Sequence, residues 1–305
     1  MHGVGEAQSE VRRLLKERDA VLLVHYYQRA EVQDIADHLG DSLELSLRAA
    51  SSKAKVIVFA GVDFMAETAK LVNPESIVLH PNVRAKCPMA GMIDAPSLRQ
   101  WRSENPGVPV VAYVNTSAAV KAESDICCTS ANAVEIVGSL GARKVLFVPD
   151  TNLALYVQRH LPDVDVECWP GYCHTHNEIQ RDDIMRLKER HPGAEVVVHP
   201  ECPPAVIDVA DHVASTSGII RWVQASKSRA FIIGTEEGLL HHLRKLRPDA
   251  TFLQSPPPVC PNMKRITLFD VRDSLVRMET RIELDPELVS RARRPVERML
   301  AHKRS

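Results

Sequence analysis

Short apolar runs rich in β-branched residues punctuate this chain, each followed by a polar loop and then an amphipathic stretch. Residues 21–24, 108–112 and 195–198 are such runs. They are too short for helices and predict buried parallel strands. The amphipathic stretches at 31–39, 119–126 and 205–213 predict helices, and a Ser or Thr after each opens a second helical segment. Second strands are expected at 56–60, 145–148 and 231–233, a further helix at positions such as 65–71, and third strands near 77–79, 165–168 and 251–253. Strands alternating with short helices specify parallel sheet with helical crossovers, an α/β class built of small α/β/α units.

These units are copies. Leu22-Leu23-Val24-His25-Tyr26-Tyr27 returns without gaps as Val110-Val111-Ala112-Tyr113-Val114-Asn115 after 88 residues, and as Val196-Val197-Val198-His199-Pro200-Glu201 after a further 86. The same offsets relate Asp37, Asp125 and Asp211, and relate Ile57-Val58-Phe59, Val145-Leu146-Phe147 and Phe231-Ile232-Ile233. A period this long means a triplicated supersecondary unit. The expected organisation is an N-terminal helix and first module over 1–105, a second module over 106–191, a third over 192–268 and a helical appendix over 269–305. Helices at 268–278 and 286–300 make up that appendix. Modules of this size have little core of their own, so pseudo-threefold packing is expected. Ligands of open parallel sheets bind beyond the carboxyl ends of the strands, which puts the site at the common centre of the modules.

Bulk properties narrow the chemistry. A net charge of −1 over 305 residues provides no field to draw nucleic acid or an anionic membrane. No apolar run approaches the roughly 20 residues that cross a bilayer, and the first twenty residues lack a signal peptide's apolar segment. Seven cysteines, an odd number, argue for a reducing cytoplasmic setting and against a disulfide framework.

Cys87, Cys173 and Cys260 stand apart from the other cysteines. They follow the three echoes in register, 86 and 87 residues apart, and each lies in a Pro-rich loop that can aim a thiolate. Cys127 and Cys128 close a helix-like segment, Cys168 lies in an expected strand and Cys202 follows a strand end, all consistent with ordinary buried thiols. Zinc prefers a fourth protein ligand and closely spaced pairs such as Cys-x-x-Cys, which the chain lacks. Iron–sulfur clusters normally take four cysteines. A cubane held by three leaves one iron open as a Lewis acid, suited to elimination chemistry.

The strand ends supply further groups. His25 with Tyr27, Tyr113 with Asn115, and His199 with Glu201 are i, i+2 pairs at matching positions, so each pair shares a face if extended. They offer general acids, bases and oxyanion donors. Ser42, Ser130 and Thr216, flanked by Asp41, Thr129 and Ser215, are placed at helix beginnings. There they can serve as N-caps, as the edge of anion sites, or as both.

The motifs His25-Tyr26-Tyr27-Gln28, Gly40-Asp41-Ser42-Leu43-Glu44-Leu45-Ser46, Tyr113-Val114-Asn115-Thr116-Ser117, His199-Pro200-Glu201-Cys202-Pro203-Pro204 and Cys260-Pro261-Asn262-Met263-Lys264 closely resemble those of quinolinate synthase, in order and across nearly the whole chain. The resemblance implies an enzyme that condenses iminoaspartate with dihydroxyacetone phosphate to quinolinate, with loss of phosphate and water, on the route to NAD. It implies one [4Fe-4S] cluster on Cys87, Cys173 and Cys260, with the fourth iron open to substrate. His25, Tyr27, Ser42, Tyr113, Asn115, Ser130, His176, His199, Glu201, Ser215 and Thr216 would line the pocket. Of these, Tyr27, His199 and Glu201 are expected to move protons and the others to hold substrate. Functional coupling to an iminoaspartate-producing oxidase or dehydrogenase would follow. Three positions depart from the family pattern: Lys86 sets a cation beside Cys87, Asn177 follows His176, and residues 255–259 carry no extra cysteine. Other possibilities are a different [4Fe-4S] hydro-lyase acting on a hydroxy acid, and a non-catalytic module that clamps a small ligand.

Overall fold

The computed structural model describes residues 2–302 and contains three four-stranded parallel sheets. The first comprises β1 (Ala20–His25), β2 (His38–Gly40), β3 (Val56–Ala60) and β4 (Ile77–Leu79). The second comprises β5 (Val110–Tyr113), β6 (Ile126–Cys128), β7 (Lys144–Val148) and β8 (Asp165–Cys168). The third comprises β9 (Glu195–Val198), β10 (His212–Val213), β11 (Ala230–Gly234) and β12 (Thr251–Leu253). In every sheet the second strand lies outside the first, and the third and fourth follow on the first strand's other side: β2-β1-β3-β4, β6-β5-β7-β8 and β10-β9-β11-β12. The repeat read in the sequence is therefore a repeat of topology.

The apolar runs are strands because parallel strands covered on both faces need no alternation. Every residue of β3 and β5 is buried. The order also locates the chemistry. The chain leaves the first strand to one side and returns on the other, and the crevice at such a switch, beyond the strands' carboxyl ends, receives ligands. His25, Tyr113 and His199 end or follow the first strand of each sheet.

The sequence pattern anticipated three strands per module, whereas each sheet has four. The stretches at 31–39, 119–126 and 205–213 break into single helical turns, Ala30–Gln33, Ala118–Lys121 and Pro204–Ile207, followed by the short edge strands β2, β6 and β10. Two or three residues of strand are too few to override a helical period in the sequence, and pairing with the central strand decides the conformation. Cys127 and Cys128 consequently lie within β6, not at a helix end. Ser42 and Thr216 do open helices, Ser42–Ser51 and Thr216–Ala225, whereas Ser130 precedes the helix Ala133–Ser139 by three residues. Asn132 Oδ1 accepts the Thr129 N–H at 2.7 Å and closes a turn there, which delays the helix.

By contact density the chain divides into two compact units. One contains Met1–Asn105, Val114–Cys127 and Pro261–Ser305. In it, Val11 and Leu15 of the helix His2–Glu17 and Val271 and Leu275 of the helix Leu268–Arg277 share a core with Leu22, Val24, Val58 and Leu79. The helix Pro286–Ala301 packs on the helices Asp63–Val72 and Ala118–Lys121. The other unit contains Pro106–Tyr113 and Cys128–Cys260, with a core around Ile184, Leu187, Val196, Val198, Val206 and Ile232. No helix among the described residues is long and apolar enough to cross a membrane.

Candidate metal and substrate centre

In the second unit the loop after β8 and the turn after β9 meet. Cys173 Sγ, a His176 imidazole nitrogen and a Glu201 carboxylate oxygen lie within 4.8 Å of one another, a donor set able to hold a metal. His176 and Glu201 are almost completely buried and Cys173 is partly exposed. His176 Nδ1 lies 2.5 Å from Glu201 Oε2 and 3.3 Å from Cys173 Sγ, and its Nε2 lies 2.8 Å from Thr235 Oγ1. The ring stacks on His199 at a centroid distance of 4.5 Å.

Hydrogen bonds set the state of each group. The Glu201 N–H donates to His199 Nδ1 at 3.3 Å, so the His199 proton sits on Nε2, which lies 3.1 Å from Ser130 Oγ. His199 Nδ1 lies 3.8 Å from the Glu201 carboxylate. Burial pushes the Glu201 carboxyl up, but the neighbouring His176, by charge and hydrogen bond, and His199 and the Tyr113 hydroxyl outweigh it and bring the group down to about 2. Glu201 is therefore ionised at neutral pH. Glu201 Oε1 is buried with no hydrogen-bond partner, an orphaned acceptor. The Asn152 side-chain amide holds the Glu201 carbonyl at 3.1 Å and also donates to Asn177 Oδ1 at 3.1 Å. Asn177 thus braces the His176 turn. Asp150, fully buried, is raised well above the usual carboxylate range by desolvation and by the charge of Glu201, against backbone N–H groups that pull it down.

Tyr113, Ser130, Cys173, His176, His199 and Glu201 are thus gathered in one place. Ser215 caps its helix by accepting the Gly218 N–H at 3.3 Å, and Thr216 is buried at the first helical position. Cys260 is not a member of the 4.8 Å group.

In the first unit, His25 and Tyr27 meet edge to face at 4.5 Å, and the Tyr27 N–H donates to His25 Nδ1 at 3.1 Å, the same i+2 bond made by Glu201 and His199. Gln33 Nε2 donates to the carbonyls of Tyr26 and Gln28 at 2.8 and 2.9 Å and so fixes the turn that carries Tyr27. One repeat later Lys121, completely buried, donates to the Val114 carbonyl at 2.8 Å and to that of Thr116, fixing the turn that carries Asn115. Desolvation lowers the Lys121 pKa, and Cys127 and Glu67 raise it back in part. Asn115 Oδ1 is buried without a partner. Asp41 is the N-cap of Ser42–Ser51 in a reciprocal capping box with Glu44, which leaves Ser42 as the first helical residue.

The cysteines fall into two environments. Cys127 and Cys202 are buried, and desolvation pushes the Cys127 thiol up to about 12 and raises Cys202 as well. Cys168 is also raised by burial. A thiol held protonated is a poor ligand. Cys87, Cys173 and Cys260 are partly exposed, and each backbone N–H is held by a carboxylate: Asp63 at 3.0 Å, Asp150 at 3.0 Å and Glu236 at 3.1 Å. Sequence reasoning missed these three acids, together with Thr235 and Asn152. The signal was available, since Asp63, Asp150 and Glu236 follow one another at 87 and 86 residues, in step with the repeat.

The family model described as "Quinolinate synthetase A protein" matches residues 9–301. A quinolinate synthase of Methanoregula boonei is 56% identical over 295 residues, covering 96% of this chain and 97% of that protein. Quinolinate synthases of Desulforudis audaxviator and Thermodesulfovibrio yellowstonii are 52% and 48% identical, each alignment covering 97% of this chain and 98% of the relative.

Proposed function

Because the chain belongs to the quinolinate synthetase A protein family, we propose that it condenses iminoaspartate with dihydroxyacetone phosphate to give quinolinate, phosphate and water. This transferase would act in the cytoplasm on the route to NAD, and its unstable imine substrate would come from an oxidase or dehydrogenase. The observation that carries the proposal is the group of partly exposed Cys173 with buried His176 and Glu201, a thiol, an imidazole and an ionised carboxylate within 4.8 Å.

A [4Fe-4S] cluster would be held by Cys87, Cys173 and Cys260, of which Cys173 belongs to this group. It would supply an open iron as Lewis acid for a departing hydroxyl. Glu201 Oε1, buried without a partner, is an acceptor available to such a centre or to substrate.

The chain's own residues perform the rest. Ser42, Ser215 and Thr216, at the amino ends of ten-residue helices, together with Ser130, would bind the substrate carboxylates and phosphate, aided by helix N–H groups. His25 and His199, each with Nδ1 occupied by a backbone N–H, present Nε2–H as a hydrogen-bond donor. Tyr113 and Asn115 complete the polar lining. Carbon–carbon bond formation requires loss of a proton next to a carboxylate. Glu201, oriented through His199 and paired with His176, would handle that proton, because the ionised carboxylate stabilises charge on the imidazole, with Tyr27 as second proton carrier. Ring closure to an imine, dehydration and aromatisation then complete the product.

The test is anaerobic purification with iron and sulfide analysis, followed by assay with both substrates. The expected result is about four irons and four sulfides per chain, quinolinate only when both substrates are present, and iron loss in Cys87→Ser, Cys173→Ser and Cys260→Ser but not in Cys202→Ser. Turnover of a hydroxy acid without triose phosphate would instead favour a different hydro-lyase. Tight ligand binding with neither iron nor turnover would favour a binding module.

A further inference from the structure

Three carboxylates outside the substrate-facing set are tied to the cysteine loops in the same way. Asp63 follows β3, Asp150 follows β7 and Glu236 follows β11, so each stands just past the third strand of its sheet. Asp63 Oδ1 accepts the Cys87 N–H at 3.0 Å, Asp150 Oδ2 that of Cys173 at 3.0 Å, and Glu236 Oε1 that of Cys260 at 3.1 Å. The sequence separations are 24, 23 and 24 residues. Each acid also accepts an N–H close to itself in sequence: Phe64 at 3.0 Å, Leu153 at 2.7 Å and Gly238 at 2.7 Å.

Helix capping is the plain alternative, and it does not repeat. Asp150 is the N-cap of Thr151–His160, but Asp63 is the first residue of its helix, and Glu236 lies two residues before Gly238, the N-cap of Leu239–Leu246. The bond to the cysteine N–H recurs at nearly constant separation in all three copies, whereas the local N–H partner changes its spacing from copy to copy. Asp150 and Glu236 are moreover completely buried, a costly place for a carboxylate that only has to cap a helix.

We propose that Asp63, Asp150 and Glu236 are positioning residues, each a strut from the end of a core strand to the backbone of a cysteine, which hold the three loops ready for metal. The strand is rigid and the loop is not, so the strut transfers the strand's precision to the sulfur. This inference rests on the assignment of the three cysteines as ligands in the proposed function.

The experiment measures chelator-driven iron release from the anaerobically purified, loaded protein, alongside its melting temperature. Asp63→Ala removes the acceptor of both bonds, while Asp150→Asn and Glu236→Gln set an amide NH2 against one of the two N–H groups. Each should release iron faster by about tenfold or more, as loss of outer-shell partners does at other metal sites. Asp211→Ala is the control, since it removes a carboxylate bond of the same kind, to the Val196 N–H at 2.8 Å, near the amino end of β9. It should release iron within about twofold of the parent rate, as expected of a group outside the metal's shells. Parent-like release from the three strut variants, or equal acceleration in the Asp211 control, would overturn the proposal. If Glu236→Gln does not yield folded, loaded protein, Glu236→Asp decides, because it keeps the charge and shortens only the reach; parent-like release from it counts against the strut. Retention of iron by Cys173→Ser would defeat the ligand assignment itself. Loss of iron there with parent-like release in Asp150→Asn would defeat the strut alone.

Discussion

At the scale of single residues, two carboxyls equally buried at this centre differ in ionisation because their neighbours differ. Glu201 and Asp150 are both fully buried and differ in outcome. Glu201 has the His176 imidazole 2.5 Å away and is held down to about 2, whereas Asp150 is raised by desolvation first and then by the like charge of Glu201. A carboxylate this acidic is a weak base alone, so its value lies in the negative charge it sets beside the His176 imidazole. Glu201→Gln preserves shape and removes that charge. It should lower turnover by about 100-fold or more while iron content stays at the parent level. Unchanged turnover would take Glu201 out of the mechanism, and loss of iron would make it a ligand instead.

At the scale of elements, close approach of β9 and β11 places the third copy of the site. Gly234 pairs with Val198, and a Cβ at position 234 would come 2.6 Å from Val198 Cγ1, on a buried β-branched side chain with no freedom to withdraw. The Gly234 carbonyl accepts the His199 N–H at 3.0 Å and the Cys202 thiol at 3.3 Å. Gly234→Ala should therefore destabilise by about 1–3 kcal/mol, read as a lower melting temperature, and should reduce turnover by displacing His199. A melting temperature equal to the parent's would show that the sheet absorbs the methyl group freely. The turns after β1 and β5 obey a related rule. Gln33 and Lys121 occupy equivalent positions in the repeat and satisfy equivalent carbonyls, although one is an amide and the other a buried amine.

At the scale of the whole molecule, one buried and two partly buried histidines tie stability to pH. Burial lowers the pKa of His80 from 6.5, partly offset by the Gly61 carbonyl 3.0 Å from its Nε2, and burial likewise lowers His212 and His242. The unfolded chain then binds more protons than the folded one below pH 6.5. The stability due to these groups is full above that pH and is lost as pH falls towards the folded-state values. The urea midpoint should drop between about pH 7.5 and about pH 5.5, and His80→Gln should make the drop smaller. An identical slope in that variant would remove His80 as a contributor.

The sequence by itself determined the triplicated α/β plan, because apolar runs buried on both faces and a constant offset between copies are local, countable properties. It also singled out Cys87, Cys173 and Cys260, which differ from the other cysteines by register, and the pairs His25 with Tyr27 and His199 with Glu201, which the structure brings into contact. Only tertiary structure decided the edge strands β2, β6 and β10, since strands so short exist by pairing with a central neighbour and leave no period of their own. Only tertiary structure revealed that Asp63, Asp150 and Glu236 reach their cysteines across 23 or 24 residues, and that His176 lies between Glu201, Cys173 and Thr235. A hydrogen bond between residues so far apart in sequence depends on how strand, helix and loop return to one another, and that path is fixed by packing.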